Sequence, residues 1–331
     1  MARHAGVHAG TASRALNPET RALVNPETAE RVMQAAEELG YRPNRLARSL
    51  KTNRSSTIGV LVPDLTNPLF PPIVRGIEDA LEQAGYTALL ANSDNDHEKE
   101  RLHFQRMKDS QVEGFIMATA ERDHPLIEDA IATDVPIVLV NRTVDSPAAF
   151  AVITDDHAGA QLAVGHLAGL GHQRIAHIVG PERYSTGQAR YRGFIDGMKA
   201  AGLEPERSMI GLTRTFTEDE GARVFRRLLE GEKGFTAVFA GNDLLALGCY
   251  DVMAEAGIRC PDDISIVGYN DMTLLDKLRP PLTTIRVPQY ELGKRATELV
   301  LDRLRDPSAQ PVTIRLEPQL IVRGSTSPPT A

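Results

Sequence analysis

Cysteine is almost missing from this chain. Only Cys249 and Cys260 occur in 331 residues. Neither belongs to a CxxC pair or a Cys/His cluster, so both are expected to be reduced and buried, and no metal site or redox chemistry is suggested. Long apolar runs are missing too. None reaches the roughly 18 to 20 residues a membrane span needs, and no charged-then-apolar signal pattern opens the chain. A cytoplasmic protein without a membrane partner is expected. The markers of nucleotide and covalent chemistry are also lacking: no GxGxxG follows the first strand pattern, no GxxxxGK followed by Ser or Thr occurs, and no nucleophile, histidine and carboxylate constellation stands out. No catalytic residue, metal ligand or cofactor is therefore assigned. His166, His172 and His177 share one segment and read as surface or capping residues rather than ligands.

Acidic charge is scarce only at the start. Residues 1 to 56 hold nine Lys/Arg against five Glu and no Asp, a balance of +4. With a net charge of -7 overall, the remaining 275 residues carry -11. A basic head on an acidic body points to a polyanion partner for the head, although a solvated charged face would look similar. At 331 residues the chain exceeds one core and fits two or three domains.

From "TIGVLVP" at 57 onward, β-rich runs alternate with amphipathic helical stretches: "TALLA" (87 to 91), "GFIM" (114 to 117), "PIVLV" (136 to 140), "RIAHIV" (174 to 179), "TAVFA" (236 to 240) and "DISIVG" (263 to 268) lie between patterns such as "FPPIVRGIEDALEQAG" and "NDLLALGCYDVMAEAG". That alternation predicts an α/β fold with parallel sheets covered by helices on both faces. Two such units fit between 57 and 324, and the closing helix and strands place a crossing of the chain back between them. Ligands of such folds sit at the carboxyl ends of strands, so a cleft between the two sheets is the expected site. The tail "GSTSPPTA" is expected to be disordered.

The first 56 residues carry no strand signal. Three short helices can be read: a stub at 2 to 5, a second from His8 to Leu16, and a third from Pro26 to Leu39 with Asn25 as N-cap and Glu27 in its first turn. The Ala5-Gly6-Val7 junction is the glycine turn of a helix-turn-helix, which aims its second helix at the major groove. Val7, Ala12 and Leu16 would face the third helix, leaving His8, Ala9, Thr11, Ser13 and Arg14 outward, and Gly10, which lowers helix propensity, suggests a packing or close-approach reason. Asn44 can cap a further short helix carrying Leu46, Ala47 and Leu50, flanked by Arg45 and Arg48. So short a helix orders only when its apolar face finds a second copy or DNA.

"AGVHAGTASRALN", "ERVMQAAEELGYRPNRLARSL", "IGVLVPDLTNPLF", "HLAGLGHQRIAHIVG", "ARYRGF", "GNDLLALG" and "DISIVGYNDM" through "PPLTTIRVP" together resemble the lactose- and galactose-repressor family of bacterial transcription regulators, over residues 1 to about 324. The resemblance implies a helix-turn-helix head at 1–43, a hinge helix and linker at 44–56, and two doubly wound subdomains of periplasmic-binding-protein type, at 57–153 plus 287–313 and at 154–286 plus 314–324, before a tail at 325–331. It puts base-reading positions at His8, Ala9 and Arg14, places Thr11 and Ser13 near phosphates, makes Leu50 a minor-groove wedge, and sets Asn44, Arg45 and Ala47 beside it on DNA. The implied partners are double-stranded operator DNA, a second copy of the chain and a small sugar or sugar-acid effector. No leucine heptad follows residue 305, so a dimer is expected rather than a tetramer.

For the effector cleft the resemblance implies Phe70, Asn141, Arg190, Phe216, Asn242 and Asn270. Each also has a plainer role: Phe70 and Phe216 as core, Asn141 and Asn270 as turn formers, Asn242 as a helix cap. Positions 141 and 270 are often aspartate in sugar-responsive relatives. With asparagine at both, Arg190 is expected to lack a carboxylate and to favour an anionic effector, unless Asp155 or Asp271 balances it. A solute-binding protein of transport type would explain 57 to 324 equally well but not the basic head or the missing signal. An enzyme on a doubly wound sheet is the third possibility, and it lacks the markers named above.

The resemblance also bears on the first residues. Relatives carry about one and a half more helical turns before the position of Met1, where valine commonly stands, and GTG encodes valine internally but methionine at initiation. The native start is thus expected to lie upstream. N-terminal mass spectrometry of the native protein should find a longer chain, and a mature chain starting at residue 1 with full operator affinity would refute it.

Overall fold

The computed structural model describes residues 1–17, 20–41, 55–231 and 234–330. The chain divides into two compact units, Met1–Ser56 and Thr57–Ala331.

In the first unit the stub at 2 to 5 is a tight turn rather than a helix, with the Ala5 N–H donating to the Met1 carbonyl (3.0 Å) and the Val7 N–H to that of Ala2 (3.0 Å). Gly6 reverses the chain at φ +64°, a conformation a side chain would strain. Helix α1 (Ala9–Leu16) begins one residue after His8, because His8 is its cap: its Nδ1 accepts the Gly10 N–H at 3.2 Å. Helix α2 (Pro26–Glu38) is capped by Asn25, whose side chain accepts the Glu27 N–H at 3.0 Å. Between them lies a core of mostly small residues, Ala5, Ala12, Ala15, Val24, Ala29, Val32 and Ala35. Arg31 donates through Nε to the Ala5 carbonyl (3.1 Å) and Arg21 to that of Ala15 (3.0 Å), so two of the head's cations fasten its own backbone.

The second unit runs β1 (Thr57–Val62), α3 (Phe70–Gln83), β2 (Thr87–Asn92), α4 (His97–Asp109), β3 (Gly114–Met117), α5 (Pro125–Ala132), β4 (Ile137–Val140) and β5 (Phe150–Thr154). It continues with α6 (Asp156–Gly169), β6 (Ile175–Val179), α7 (Ser185–Ala200), β7 (Ile210–Leu212), α8 (Glu218–Gly231), β8 (Ala237–Ala240), α9 (Asp243–Ala256), β9 (Ser265–Asn270) and β10 (Thr283–Arg286). Helix α10 (Gln289–Arg305), β11 (Thr313–Leu316) and β12 (Gln319–Ile321) close it.

Two six-stranded sheets result, ordered β11-β5-β4-β3-β1-β2 and β12-β10-β9-β8-β6-β7. The central strands are buried on both faces, as the continuous apolar runs require. All pairings are parallel except β10 with β12. In each sheet the strand order reverses beside the unit's first strand, at β1 and at β6. Their carboxyl ends are the switch points where loops splay apart and a ligand can enter. The chain crosses between sheets after β5, after β10 and after β11. The last crossing falls after Leu316, not at 313, because Thr313 to Leu316 pair with Ala151 to Thr154. Helix α10 returns onto α3 at very short range: a Cβ at Gly293 would lie 2.0 Å from the Ile73 carbonyl oxygen, and one at Gly76 2.1 Å from that of Tyr290.

Both cysteines are free, Cys249 buried and Cys260 half-buried. Among the described residues no helix is long and apolar enough to cross a membrane.

Two expectations need correction. The segment after 324 is held rather than disordered: the fully buried Ser325 donates through Oγ to the Ile266 carbonyl (2.7 Å) and accepts the Thr283 N–H (2.8 Å). The Ser327 N–H donates to Ser265 Oγ at 3.1 Å and Thr330 donates to the Asp262 carbonyl at 3.0 Å, so local polarity is used by the sheet edge instead of by water. The three histidines are likewise not surface groups. His166 meets Thr326 (2.9 Å), and His172 meets Thr236 (2.8 Å) and the Ser327 carbonyl (2.9 Å), clamping that segment. His177 is fully buried, its ring stacked on Phe194 (4.6 Å) and Phe239 (4.7 Å), with Nδ1 donating to the Phe239 carbonyl at 2.8 Å.

Burial pushes the His177 imidazole down to about 4 from an ordinary 6.5. The native state then binds fewer protons than the unfolded chain between those values, so this contribution is complete above pH 6.5 and is lost as pH falls toward 4. In urea titrations the stability difference between the wild type and His177→Phe should shrink steadily across that window; a pH-independent difference would contradict it.

Candidate functional site

Asn67 and Leu69 follow β1, Asn141 and Arg142 follow β4, Thr186 and Arg190 stand on α7, Phe216 follows β7, Asn242 follows β8, and Asn270 ends β9. These nine residues line one cleft between the carboxyl ends of the two sheets. Five of the six residues named for an effector thus come together. The sixth does not: Phe70, 1% exposed, sits in the core with Ile73 and Ile77, because as the first residue of α3 it points under the sheet while Leu69 takes the cleft position.

Arg190 is the best anchored member. Its Nε donates to Asp156 (2.8 Å), Nη1 to the Gly241 carbonyl (2.7 Å) and Nη2 to Asn270 Oδ1 (3.5 Å). Its guanidinium lies 3.8 Å over the Tyr269 ring and 6.0 Å from the Phe216 ring. The expectation that Arg190 lacks a carboxylate is overturned: Asp156, the first residue of α6, supplies it, whereas Asp155 caps that helix and Asp271 pairs with Arg286 (2.7 Å) and Arg323 (2.6 Å). Burial pushes the Asp156 carboxyl up, and the Arg190 charge works against it.

The asparagines combine their two readings. Asn141 (φ +67°) and Asn270 (φ +119°) turn the chain in conformations that ordinary side chains avoid, and the same turns present them to the cleft. Asn242 caps α9 by accepting the Leu245 N–H at 2.8 Å and still lines the cleft. Beneath it, Asp243 accepts from Thr284 Oγ1 (2.6 Å) and the Met272 N–H (3.0 Å), which fixes the turn carrying Asn270. Burial pushes its carboxyl up to about 7.

Sequence reasoning missed Arg142, although it is the residue after Asn141. It is 5% exposed, stacks at 3.7 Å on the Tyr184 ring, and its Nε and Nη1 have no hydrogen-bond partner. Around it the subdomains touch. The Arg122 N–H donates to the Arg183 carbonyl (2.9 Å), Arg183 Nε to Glu121 (3.1 Å), the Thr143 N–H to Ser185 Oγ (3.0 Å), and Tyr184 to Asn95 (3.4 Å). The cleft so closed keeps a cavity of about 10 Å³, the room of one water. A sugar-sized ligand therefore needs the subdomains to part.

Two other places gather polar groups away from this cleft. A hollow of about 300 Å³ lies at the amino ends of β4 and β5, lined by Asp134, Phe150 and Arg303, but Arg303 is already paired with Asp134. His97, Glu100 and His124 also meet, their ligand atoms within 4.8 Å. However, His124 Nδ1 accepts the Glu121 N–H (3.1 Å), which leaves the ring proton on Nε2 facing Glu100 (3.2 Å). A metal-binding imidazole instead donates through its second nitrogen, so this cluster reads as a hydrogen-bonded lock.

On the head, His8, Ala9, Ser13 and Arg14 are exposed on α1 and Thr11 is half-buried. Because His8 Nδ1 is occupied by Gly10, a neutral His8 offers Nε2–H outward. Unlike Arg21 and Arg31, the Arg14 guanidinium donates to no protein group among the described residues. Asn44, Arg45, Ala47 and Leu50 lie outside the described residues.

Comparison with known proteins decides the family. Residues 1–44 match the model for bacterial regulatory proteins of the lacI family, and residues 164–326 that for a periplasmic binding protein-like domain. The ribose operon repressor of Halalkalibacterium halodurans is 36% identical over 98% of this chain and 96% of its own. The chain belongs to the lacI family of bacterial regulatory proteins. Among solved structures, a complex of the transcriptional regulator CelR with cellobiose covers 98% of both chains at 33% identity and a TM-score of 0.76. The lac repressor dimer bound to operator and the anti-inducer ONPF matches this lacI-family chain with a TM-score of 0.87 and 27% identity, over 98% of this chain and 97% of its own.

Asp156→Ala should destabilise the protein by about 3 to 5 kcal/mol by leaving a buried guanidinium unpaired. Asp156→Asn should cost less, and a joint Asp156→Leu, Arg190→Met variant should recover most of the loss, read from denaturant midpoints.

Proposed function

We propose that the chain is an effector-controlled repressor that binds a near-palindromic operator as a homodimer. The observation that carries this is the pairing, in one chain, of a head whose outward helix face is small-sided, with Arg14 unpaired among the described residues, and a core with a cleft at its strand ends that gathers amide and guanidinium groups. Small side chains at Ala9 and Ser13 let α1 lie close to base edges. Arg14, without a protein partner among the described residues, can read guanine through two parallel donors, His8 can donate through Nε2, and Thr11 and Ser13 suit phosphate oxygens. Asn44, Arg45, Ala47 and Leu50 would extend the contact into the minor groove.

Dimerisation is supported by one edge strand of each sheet, β2 and β7. Leu89 and Leu90 on β2 are each 39% exposed, and Leu212 on β7 is 55% exposed. Unpaired edges with bare leucines ask for cover, and a second copy supplies it symmetrically. The named relatives repress or regulate transcription, and no turnover enters this function. The cleft donors suit a small hydroxylated ligand, a sugar or sugar acid. Its entry would part the contacts of Arg183, Tyr184 and Ser185 with the first subdomain, and the changed angle between subdomains would alter how two heads are spaced on DNA. Coupling of about 1 to 3 kcal/mol would change operator affinity about 5- to 150-fold.

Fluorescence anisotropy with DNA from upstream of its own gene tests this. Affinity should fall steeply with salt, by a log–log slope of about -0.9 per phosphate contacted. Arg14→Ala should lose about 1 to 3 kcal/mol and relax the preference at one base pair in each half-site. Salt-insensitive binding, or equal loss on every sequence, would count against it.

A further inference from the structure

Among the described residues the cleft holds one more cation than it has counter-ions. Arg190 has Asp156 at 2.8 Å. Among the described residues Arg142 has none: Tyr184 meets it as a neutral phenol, and the two arginines that bear on it, Arg183 and Arg190, are both cationic. Carboxylates in the neighbouring loops are already engaged, Glu121 by Arg183 (3.1 Å) and Asp145 by Arg122 (2.6 Å). Tyr184 covers the face of the Arg142 guanidinium but leaves Nε and Nη1 without acceptors. A buried cation in this state is costly, and burial together with the two neighbouring arginines weakens its hold on its proton. A hydroxyl would satisfy one donor and leave the charge unbalanced. An oxyanion answers both needs through charge-assisted bonds.

We infer that the effector carries an oxyanion, a carboxylate or a phosphate, which docks on Arg142 while its hydroxyls meet Asn141, Asn242, Asn270 and Arg190. The inference rests on the effector reading above and moves the anion contact from Arg190, which is neutralised, to Arg142, which is not.

Calorimetry and thermal shift on the full chain can test it with matched triples: D-gluconate, D-glucose 6-phosphate and D-glucose, then D-ribonate, D-ribose 5-phosphate and D-ribose, with inorganic phosphate alongside. An anionic member should bind at least tenfold more tightly than its neutral counterpart, and whether the acid or the phosphate does so identifies the source of charge. Arg142→Gln should abolish that advantage and Arg142→Lys keep part of it. Without ligand, Arg142→Gln should melt at or above the wild-type temperature, since an unbalanced charge has gone. Neutral sugars binding as well as their anions, a panel with no Arg142-dependent response, or an Arg142→Gln protein that melts well below the wild type would each overturn the inference. Operator binding on the same preparations separates the two claims: intact DNA binding released by a neutral sugar removes the oxyanion alone, whereas no DNA binding removes the regulator reading.

Discussion

A buried guanidinium must be neutralised and hydrogen-bonded wherever the fold puts it, and at Arg190 that requirement ties the second subdomain together. Asp156 at the start of α6, the Gly241 carbonyl after β8 and Asn270 at the end of β9 all converge on one side chain from α7. The start of α6 and two turns that carry cleft residues, at Asn242 and Asn270, are thereby held at one mutual spacing. The cleft owes its shape to this anchor, and its donors are displayed by turns that could not hold their strained backbone unaided.

Arg142 shows the same group without the solution. Its charge is covered by an aromatic face and left without a counter-ion, at the place where the two subdomains touch. The contacts named there are polar, so opening them breaks hydrogen bonds and an ion pair. Such an interface suits two alternative arrangements biased by what lies between them, which is what control by a ligand requires.

Much of the fold was legible because it follows from local rules. Alternating β-rich and amphipathic stretches predicted two doubly wound units, and Asn25 with Pro26 and Glu27 marked the start of α2. What local rules missed depends on distant partners. The counter-ion of Arg190 lies 34 residues away, and nothing about Asp156 in "TDD" distinguishes it from Asp155 until α6 sets one as cap and the other as partner. Phe70 and Phe216, named together for the cleft, separate for a similar reason. Either could be core by composition, but helix direction turns Phe70 inward while the loop after β7 brings Phe216 against Gly180 at the cleft. The tail read as disordered because its serines, threonines and prolines bury little apolar surface, yet free N–H and C=O groups along the second sheet give them partners.

The sequence by itself determined the alternation of elements, the separate basic head, the capped helices and the asparagines that turn the chain, since propensity, periodicity and charge act over a few residues. Only the tertiary structure decided which cations are neutralised. Charge balance in a low-dielectric cleft depends on groups brought together from α6, α7 and the loops after β4, β8 and β9, and no spacing along the chain encodes that Arg190 has a counter-ion and that Arg142 has none among the described residues.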